Sequence, residues 1–308
     1  MEVVATRTSP AVIPIGSDAL RAELAPGIGA SLTRLQFRLG GEWIDILRPA
    51  AAQALRLGNV REMACFPMAP YASLIHDGTF VWDRRTYHVK ANMPDRPHAL
   101  HGDAWQHAWE VHDVDADRVV LRYRQEGDRF PFSYEAVLMA SVRADEISLT
   151  LSLVNRGSDP MPAGMGFHPF FRRQPDLTLQ FEAIAKWKRD RHGRMLERAH
   201  CSEEDSFSTP RNLTHRVCND VYDGWHRSAV LHWASTGVRA TLTAEGALDR
   251  LLLFSPADRD VVCVEPISNL PDGFNLLAAG SGDSGVRALE PGESFSGTMR
   301  IAVSRATG

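Results

Sequence analysis

Three segments of the sequence carry side chains that are able to transfer protons. His98 and His101 lie in a loop, His168 precedes a proline, and Glu265 ends an apolar run. A carboxyl group has an ordinary pKa of about 4.3 and an imidazole one of about 6.5, so such a set holds a base and a proton donor near neutral pH. If folding brings these segments together, they predict acid–base chemistry.

Each of these groups also has a purely structural interpretation. The loop histidines are consistent with surface groups that cap turns, and His168 with a hydrogen-bonded side chain of the core. Glu265 follows the apolar run 261–264 and precedes Pro266, so the strand either ends in solvent there or buries a carboxylate. Because carboxylates are rarely buried without a partner, Glu265 is the most informative single residue.

The spacing of His98 and His101 does not favour a metal site. Two histidines at this spacing bind zinc from one face of a helix, whereas Pro97 and Gly102 argue against a helix here. No second cluster supplies cysteine or glutamate at ligand spacing, and we expect no metal. The cysteines lie far apart and are expected to be reduced; they are Cys65, Cys201, Cys218 and Cys263.

The elements that must position these groups are mostly strands. Residues 146–155 alternate apolar and polar side chains, which predicts a half-buried strand. Similar alternation occurs in 177–181, 238–242 and 299–303, with Gly, Pro and Asn turns between such segments. One short helix is predicted over 49–57, before Gly58. Many short strands with frequent turns indicate an all-β fold, an antiparallel sandwich or barrel.

Bulk properties narrow the class of protein. The chain has 308 residues and a formal net charge of -4, so nucleic acid is not an expected partner. No linker or repeat divides it, which favours one domain over residues 1–308. The N-terminus lacks a basic segment leading into an apolar one, and no long apolar run offers a membrane span. We therefore expect a cytoplasmic protein; the oligomeric state is left open.

Several segments together are more specific than any one of them. In chain order they are 65–71, 98–105, 166–171, the pair Gly224-Trp225, 264–266 and the pair Phe274-Asn275. In this order and spacing they resemble the aldose 1-epimerase (galactose mutarotase) family, from about Gly27 to Val303. The resemblance implies a large antiparallel β-sandwich, the galactose mutarotase-like supersandwich, whose concave face binds a monosaccharide.

The resemblance also implies a reaction and its residues. A cofactor-free isomerase of this family interconverts the α and β anomers of a free sugar by opening and reclosing its ring. Glu265 matches the general base, His168 the general acid, and His101 the histidine that binds and polarises the substrate. The residues expected to contact the sugar are Asn219, Asp220, His76, Trp225 and Phe274.

Two departures from the family pattern concern the substrate. Leu74 stands where the family usually has an arginine, and Asn219 where it tends to have an aspartate. Leucine cannot replace the donors of a guanidinium, so the part of the pocket that binds hydroxyl groups is expected to be rebuilt, with His76, Arg61 or Asp220 as candidates.

Two alternatives follow from these departures. One is a non-catalytic sugar-binding or sensing protein on the same fold. The other is an epimerase of hexose phosphates, which would need a cationic cluster at the pocket. The candidates for that cluster are Arg172, Arg173 and Arg211.

Overall fold

The computed structural model describes residues 12–94, 96–190 and 193–306. Residues 1–11, on which the predicted lack of a targeting signal rests, lie outside the described residues. The strands are β1 (Ile13–Gly16), β2 (Leu20–Ala25), β3 (Ser31–Leu39), β4 (Glu42–Asp45), β5 (Pro67–Met68), β6 (Leu74–Ile75), β7 (Thr79–Trp82), β8 (Arg85–His88), β9 (Ala99–Leu100), β10 (Glu110–Val114), β11 (Arg118–Gln125), β12 (Tyr134–Arg143), β13 (Glu146–Asn155), β14 (Met161–Ala163), β15 (Gly166–Phe167), β16 (Phe170–Arg172), β17 (Leu177–Phe181), β18 (Ala185–Arg189), β19 (Met195–His200), β20 (Arg211–Asn212), β21 (Cys218–Asp223), β22 (Ser228–Trp233), β23 (Val238–Gly246), β24 (Arg250–Ser255), β25 (Val261–Ile267), β26 (Arg287–Leu289) and β27 (Ser294–Arg305). The α-helices are α1 (Ala52–Leu57) and α2 (Gly273–Ala278), and single 3₁₀ turns cover Val60–Glu62, His76–Gly78 and Ala104–Gln106.

Two large antiparallel sheets make up the sandwich. The nine-stranded sheet has the order β10-β11-β12-β13-β27-β23-β22-β17-β20. The eight-stranded sheet has the order β19-β18-β21-β24-β25-β15-β5, with β16 also paired to β25. A four-stranded sheet, β1-β2-β3-β4, and the pairs β14-β26, β6-β9 and β7-β8 complete the described strands. The fold is the predicted all-β antiparallel sandwich of the galactose mutarotase type.

The two faces of the eight-stranded sheet have different partners. On β25, Val262 and Val264 join the main core, whose other wall is the nine-stranded sheet. Val261 and Cys263 point the other way, into a second, smaller cluster of buried apolar residues. Because side chains alternate along a strand, Glu265 lies on the same face as Cys263. The second face of this sheet therefore carries the candidate site.

The strongest sequence patterns match the structure closely. The alternation in 146–155 corresponds to β13 (Glu146–Asn155), which buries every second residue. The predicted helix forms as α1, but it begins at Ala52 rather than Pro49, and Gly58 ends it with φ 64°. Helix α2 was not predicted, because its Gly- and Asn-containing sequence is typical of a turn. The four cysteines are free, as expected.

None of the described helices has the length and hydrophobicity needed to cross a bilayer.

Candidate active site

Glu265 and His168 form a buried pair. Glu265 lies on β25 opposite Leu252 of β24, and only 2% of its surface is exposed. The interpretation of Glu265 as a strand end in solvent is therefore wrong. Its Oε1 lies 3.4 Å from Nε2 of His168. The two segments are almost a hundred residues apart in the sequence, and the pairing of β15 and β16 with β25 brings them together.

The position of His168 is set by the strands around it. Its backbone N–H donates to the carbonyl of Phe66 (3.0 Å), and its ring stacks on Phe170 at 4.4 Å. Gly166, at the start of β15, pairs with both Met68 and Ile267, and a Cβ there would lie 2.7 Å from Met68 Cε. The absence of a side chain at this glycine lets β15 fit between β5 and β25.

His101 lies beside His168, on a loop whose conformation is fixed by hydrogen bonds to neighbouring residues. Its backbone has φ 59°, its N–H donates to the Ser73 carbonyl (2.7 Å), and its Nδ1 accepts from the Ser73 N–H (3.1 Å). Asn92 donates to the carbonyls of Leu100 and Gly102 on either side, at 2.7 and 3.1 Å. The His101 ring lies 5.4 Å from the His168 ring, edge to face.

These three side chains line one cavity of about 170 Å³. Leu74 and Asn219, the positions that depart from the family pattern, also line it. Four arginines and one carboxylate, that of Glu265, belong to its wall; the arginines are Arg61, Arg96, Arg189 and Arg259. Aromatic and apolar side chains supply the rest, among them Phe66, Trp105, Phe170 and Leu252. The cavity thus combines acid–base groups with cations.

Burial favours the uncharged form of every acid–base group in this cavity. It raises the pKa of the Glu265 carboxyl well above its usual value, against a smaller lowering by the Arg189 charge. It lowers the pKa of His168 well below that of free histidine, with a further lowering by His101. Burial also lowers the pKa of His101 to about 3. For the Glu265–His168 pair, burial therefore favours a protonated carboxyl beside a neutral imidazole.

Arg189 is a site residue that the sequence analysis missed. It ends β18, and it lies on the face of that strand shared with Trp187, which belongs to the second apolar cluster. Leu74 provides an apolar wall at the position of the family arginine, and Arg189 of β18 lines the same cavity. The spacing of Trp187 and Arg189, two residues apart in a strand, indicates that both side chains lie on the face of the second apolar cluster. Many strands show the same pattern, so this signal alone does not identify a site residue. Of the four arginines that line the cavity, Arg61 is the one that the sequence had already suggested as a binding residue.

Four predicted binding residues lie outside this cavity. His76 lines a separate cavity with Asp272, next to His98. Asp220 follows Asn219 on β21 and points to the opposite face, where it lies 3.7 Å from Lys186.

Trp225 and Phe274 are buried in the main core, 4% and 1% exposed. The Trp225 indole donates to the Ser228 carbonyl, and Phe274 packs against Tyr71 and Phe80. The resemblance implied that both residues contact the sugar, but both lie in the core and support the fold instead.

The arginines suggested for a phosphate site also lie elsewhere. Arg172 and Arg173 line another cavity, with Arg173 donating to Ser255 Oγ (2.9 Å). Arg211 donates to the carbonyls of Glu203 and Glu204. A cationic cluster does exist at the site, but other arginines form it.

One group of possible metal ligands includes the acid–base pair. Single ligand atoms of His168, Cys263 and Glu265 all lie within 4.8 Å of one another. A metal would need the thiolate and the carboxylate. Burial raises the pKa of the Cys263 thiol well above its usual value, and that of Glu265 likewise, which disfavours both of these charged forms. These side chains suit proton transfer better than metal binding.

Comparison with known proteins agrees with this architecture. The model of the aldose 1-epimerase family matches residues 14–302. An uncharacterised protein of Escherichia coli K12, YphB, is 28% identical over 276 residues, which cover 85% of this chain and 91% of the relative.

Solved structures show the same fold. A candidate aldose 1-epimerase from Escherichia coli K12 superposes with a TM-score of 0.84 at 24% identity, over 96% of this chain and 99% of the other. A galactose mutarotase-like protein from Clostridium acetobutylicum has a TM-score of 0.82 at 19% identity, over 96% and 95%. The chain belongs to the aldose 1-epimerase family.

Proposed function

We propose that this protein interconverts the α and β anomers of a monosaccharide by opening and reclosing the sugar ring, without a cofactor. The observation that supports this most directly is the buried Glu265–His168 pair, 3.4 Å apart, at a cavity that also contains His101. Anomer exchange needs a base for the C1 hydroxyl and an acid for the ring oxygen O5, and this pair supplies both.

The protons balance within the pair and the substrate. Transfer of the shared proton from Glu265 to His168 gives a carboxylate and an imidazolium. The carboxylate then takes the C1 hydroxyl proton while the imidazolium donates to O5, and the C1–O5 bond breaks to give an aldehyde. After rotation about the C1–C2 bond, the reverse transfers close the opposite anomer. The pair returns to its starting state, so no other reactant is consumed.

His101 acts as a hydrogen-bond donor in this scheme. Its Nδ1 accepts from the Ser73 N–H, so the neutral ring carries its hydrogen on Nε2. With its pKa lowered to about 3, His101 stays neutral across the physiological range. A neutral donor binds an oxygen of the sugar without competing for the proton of the pair.

Exchange NMR between anomers tests the proposal directly. Saturation transfer measures the α–β exchange rate of a panel of aldopentoses, aldohexoses and their charged derivatives, with and without protein. We expect acceleration for at least one sugar. In Glu265→Gln and in His168→Asn it should fall by about 10² to 10⁴-fold, the usual contribution of a positioned base or acid. Glu110→Gln, an exposed site on β10, is the matched control and should retain the wild-type rate.

Two results would contradict the proposal. Full activity in Glu265→Gln would show that another group is the base. No acceleration of any sugar, together with measurable sugar affinity, would make this a sugar-binding protein on the same fold.

A further inference from the structure

Two of the three guanidinium nitrogens of Arg189 lack a hydrogen-bond partner within the described part of the chain. Its Nε and Nη2 are buried, and no acceptor among the described residues lies within hydrogen-bond distance of either. Burial lowers the pKa of Arg189, against smaller raising contributions from Asp220 and Glu265. Neither carboxylate lies within 4.0 Å of Arg189 in the described structure, and Asp220 already faces Lys186. A buried guanidinium with free donors is costly unless something binds it.

Arg250 shows how this protein treats a buried arginine that has only a structural role. Arg250 is 5% exposed, and its two terminal nitrogens lie 2.7 Å from Asp249 and from Asp283. It also donates to the Ser268 carbonyl (3.0 Å). Carboxylates therefore partner both terminal nitrogens of this buried guanidinium. Arg189 has none of these contacts, and it lines the cavity of the acid–base pair.

The rest of the cavity wall has the same sign of charge. Arg61, Arg96 and Arg259 join Arg189, against the one carboxylate of Glu265. Arg259 lies 3.8 Å from Asp258, beyond hydrogen-bond range. No ion pair of Arg61 or Arg96 is found among the described residues. This contrasts with the whole chain, whose net charge is -4. A concave site lined by cations in an acidic protein attracts an anion.

We propose that the sugar bound here carries an anionic group, a carboxylate or a phosphate, which Arg189 binds inside the cavity and the other three arginines attract from its rim. This rests on the proposed function for the identity of the ligand as a sugar. Two oxygens of a carboxylate or of a phosphate can accept the two parallel hydrogen bonds that the planar guanidinium fork donates. Leu74 agrees with this proposal, because it places an apolar wall where the family has an arginine that would contact neutral hydroxyl groups.

The test compares matched sugars that differ only in charge. D-glucose, D-glucuronate and D-glucose 6-phosphate form one series, and D-galactose with its uronate and its 6-phosphate forms the other. Calorimetric titration measures affinity, and saturation-transfer NMR measures anomer exchange, for wild type, Arg189→Met and Arg189→Lys. Arg239→Met, an exposed arginine on β23 of the other sheet, removes the same charge away from the cavity and is the control.

We expect wild type to prefer one anionic member over its neutral counterpart, and the two anionic arms show whether it is the uronate or the phosphate. Arg189→Met should weaken that preference by about 10 to 100-fold, the range for losing hydrogen bonds to a charged group. Arg189→Lys should restore part of it, and Arg239→Met should change nothing. If Arg189→Met fails to fold, Arg96→Met at the exposed rim should still reduce the preference.

The results separate this inference from the proposed function. Arg189-dependent binding of an anionic sugar without faster exchange would support the inference and refute the epimerase activity. Faster exchange of neutral sugars, with no preference for charge, would support the activity and overturn the inference. Equal losses on neutral and anionic sugars in Arg189→Met would also overturn it, as would a failure of all six sugars to bind.

Discussion

Asn269 joins the loop after β25, the strand that carries Glu265, to the loop that bonds the His101 ring. Removing its amide should therefore weaken both the fold and the activity. The side chain is 1% exposed. Its Oδ1 accepts from the Ala72 N–H (2.9 Å), and its Nδ2 donates to the carbonyls of Ala72 (3.0 Å) and Leu270 (2.9 Å). The loop after β25 is thereby tied to the loop that contains Ser73, the partner of the His101 ring.

The magnitude follows from what Asn269→Ala leaves behind. A buried donor and two buried acceptors lose their partner, and each such group costs about 1–3 kcal/mol when it stays unsatisfied. Partial relaxation should bring the total loss in unfolding free energy to about 3–5 kcal/mol, above the usual range for a point mutation. Urea unfolding followed by fluorescence measures it. Asn59→Ala, whose amide contacts only exposed Glu62, is the control and should cost less than about 1 kcal/mol.

Gly164 allows a stricter test of the same contact. A Cβ at Gly164 would lie 2.6 Å from Asn269 Cγ, so Gly164→Ala must displace the amide. Asn269→Ala opens that space, and the double mutant should therefore lose less stability than the two single mutants added together. A loss below about 1 kcal/mol in Asn269→Ala, or strict additivity with Gly164→Ala, would refute this account of the site.

Two further predictions concern the His101 loop, and a third concerns pH. Asp103 accepts hydrogen bonds from two tyrosine hydroxyls, including that of Tyr134 at 2.6 Å. Asp103→Asn leaves one of these hydroxyls facing an NH₂ group, which cannot accept its hydrogen, so calorimetry should show a loss of about 1–3 kcal/mol in the free energy of unfolding. Gly102, which follows His101, has φ 72°, and a Cβ there would lie 2.5 Å from Pro70 N. Gly102→Ala should therefore disturb the His101 loop and slow anomer exchange at least 10-fold, whereas the control Arg239→Met should not. The folded pKa of His101, about 3, is below the unfolded value of about 6.5, so its contribution to stability is complete above pH 6.5 and is lost as pH falls. The free energy of unfolding, measured by urea titration at pH 8 and pH 5, should differ between the two pH values by about 1–2 kcal/mol more in wild type than in His101→Asn; equal differences would contradict this pKa.

The sequence is most informative where a local pattern also determines the fold. Alternation in β13 (Glu146–Asn155) predicts its burial residue by residue, because one face of the strand packs on the core. Glu265 is recognisable because a carboxylate after four apolar residues needs an explanation. Helix α2 has no comparable pattern; tertiary contacts stabilise it, among them the hydrogen bond from Asn275 Nδ2 to the Thr79 carbonyl (2.8 Å).

Strand register decides which neighbouring residue reaches the cavity, and register is a tertiary property. Asn219 and Asp220 are adjacent and both polar, yet the pairing of β21 with β24 turns only Asn219 toward Glu265. Trp225 and Phe274 belong to recognisable motifs, but their burial depends on distant partners. Arg189 is one of many arginines in the chain, and only the folded sheet shows that its Nε and Nη2 have no hydrogen-bond partner among the described residues.

Under the two proposals above, binding of the substrate and catalysis are coupled electrostatically through Arg189 and Glu265. The charge of Arg189 lowers the pKa of Glu265, in opposition to burial, which raises it. When an anionic group of the sugar binds Arg189, it neutralises part of that charge. The pKa of Glu265 should then rise, and a higher pKa opposes the transfer of its proton to His168 with which the proposed reaction begins. An anionic group on the substrate should therefore increase the affinity more than the rate of ring opening.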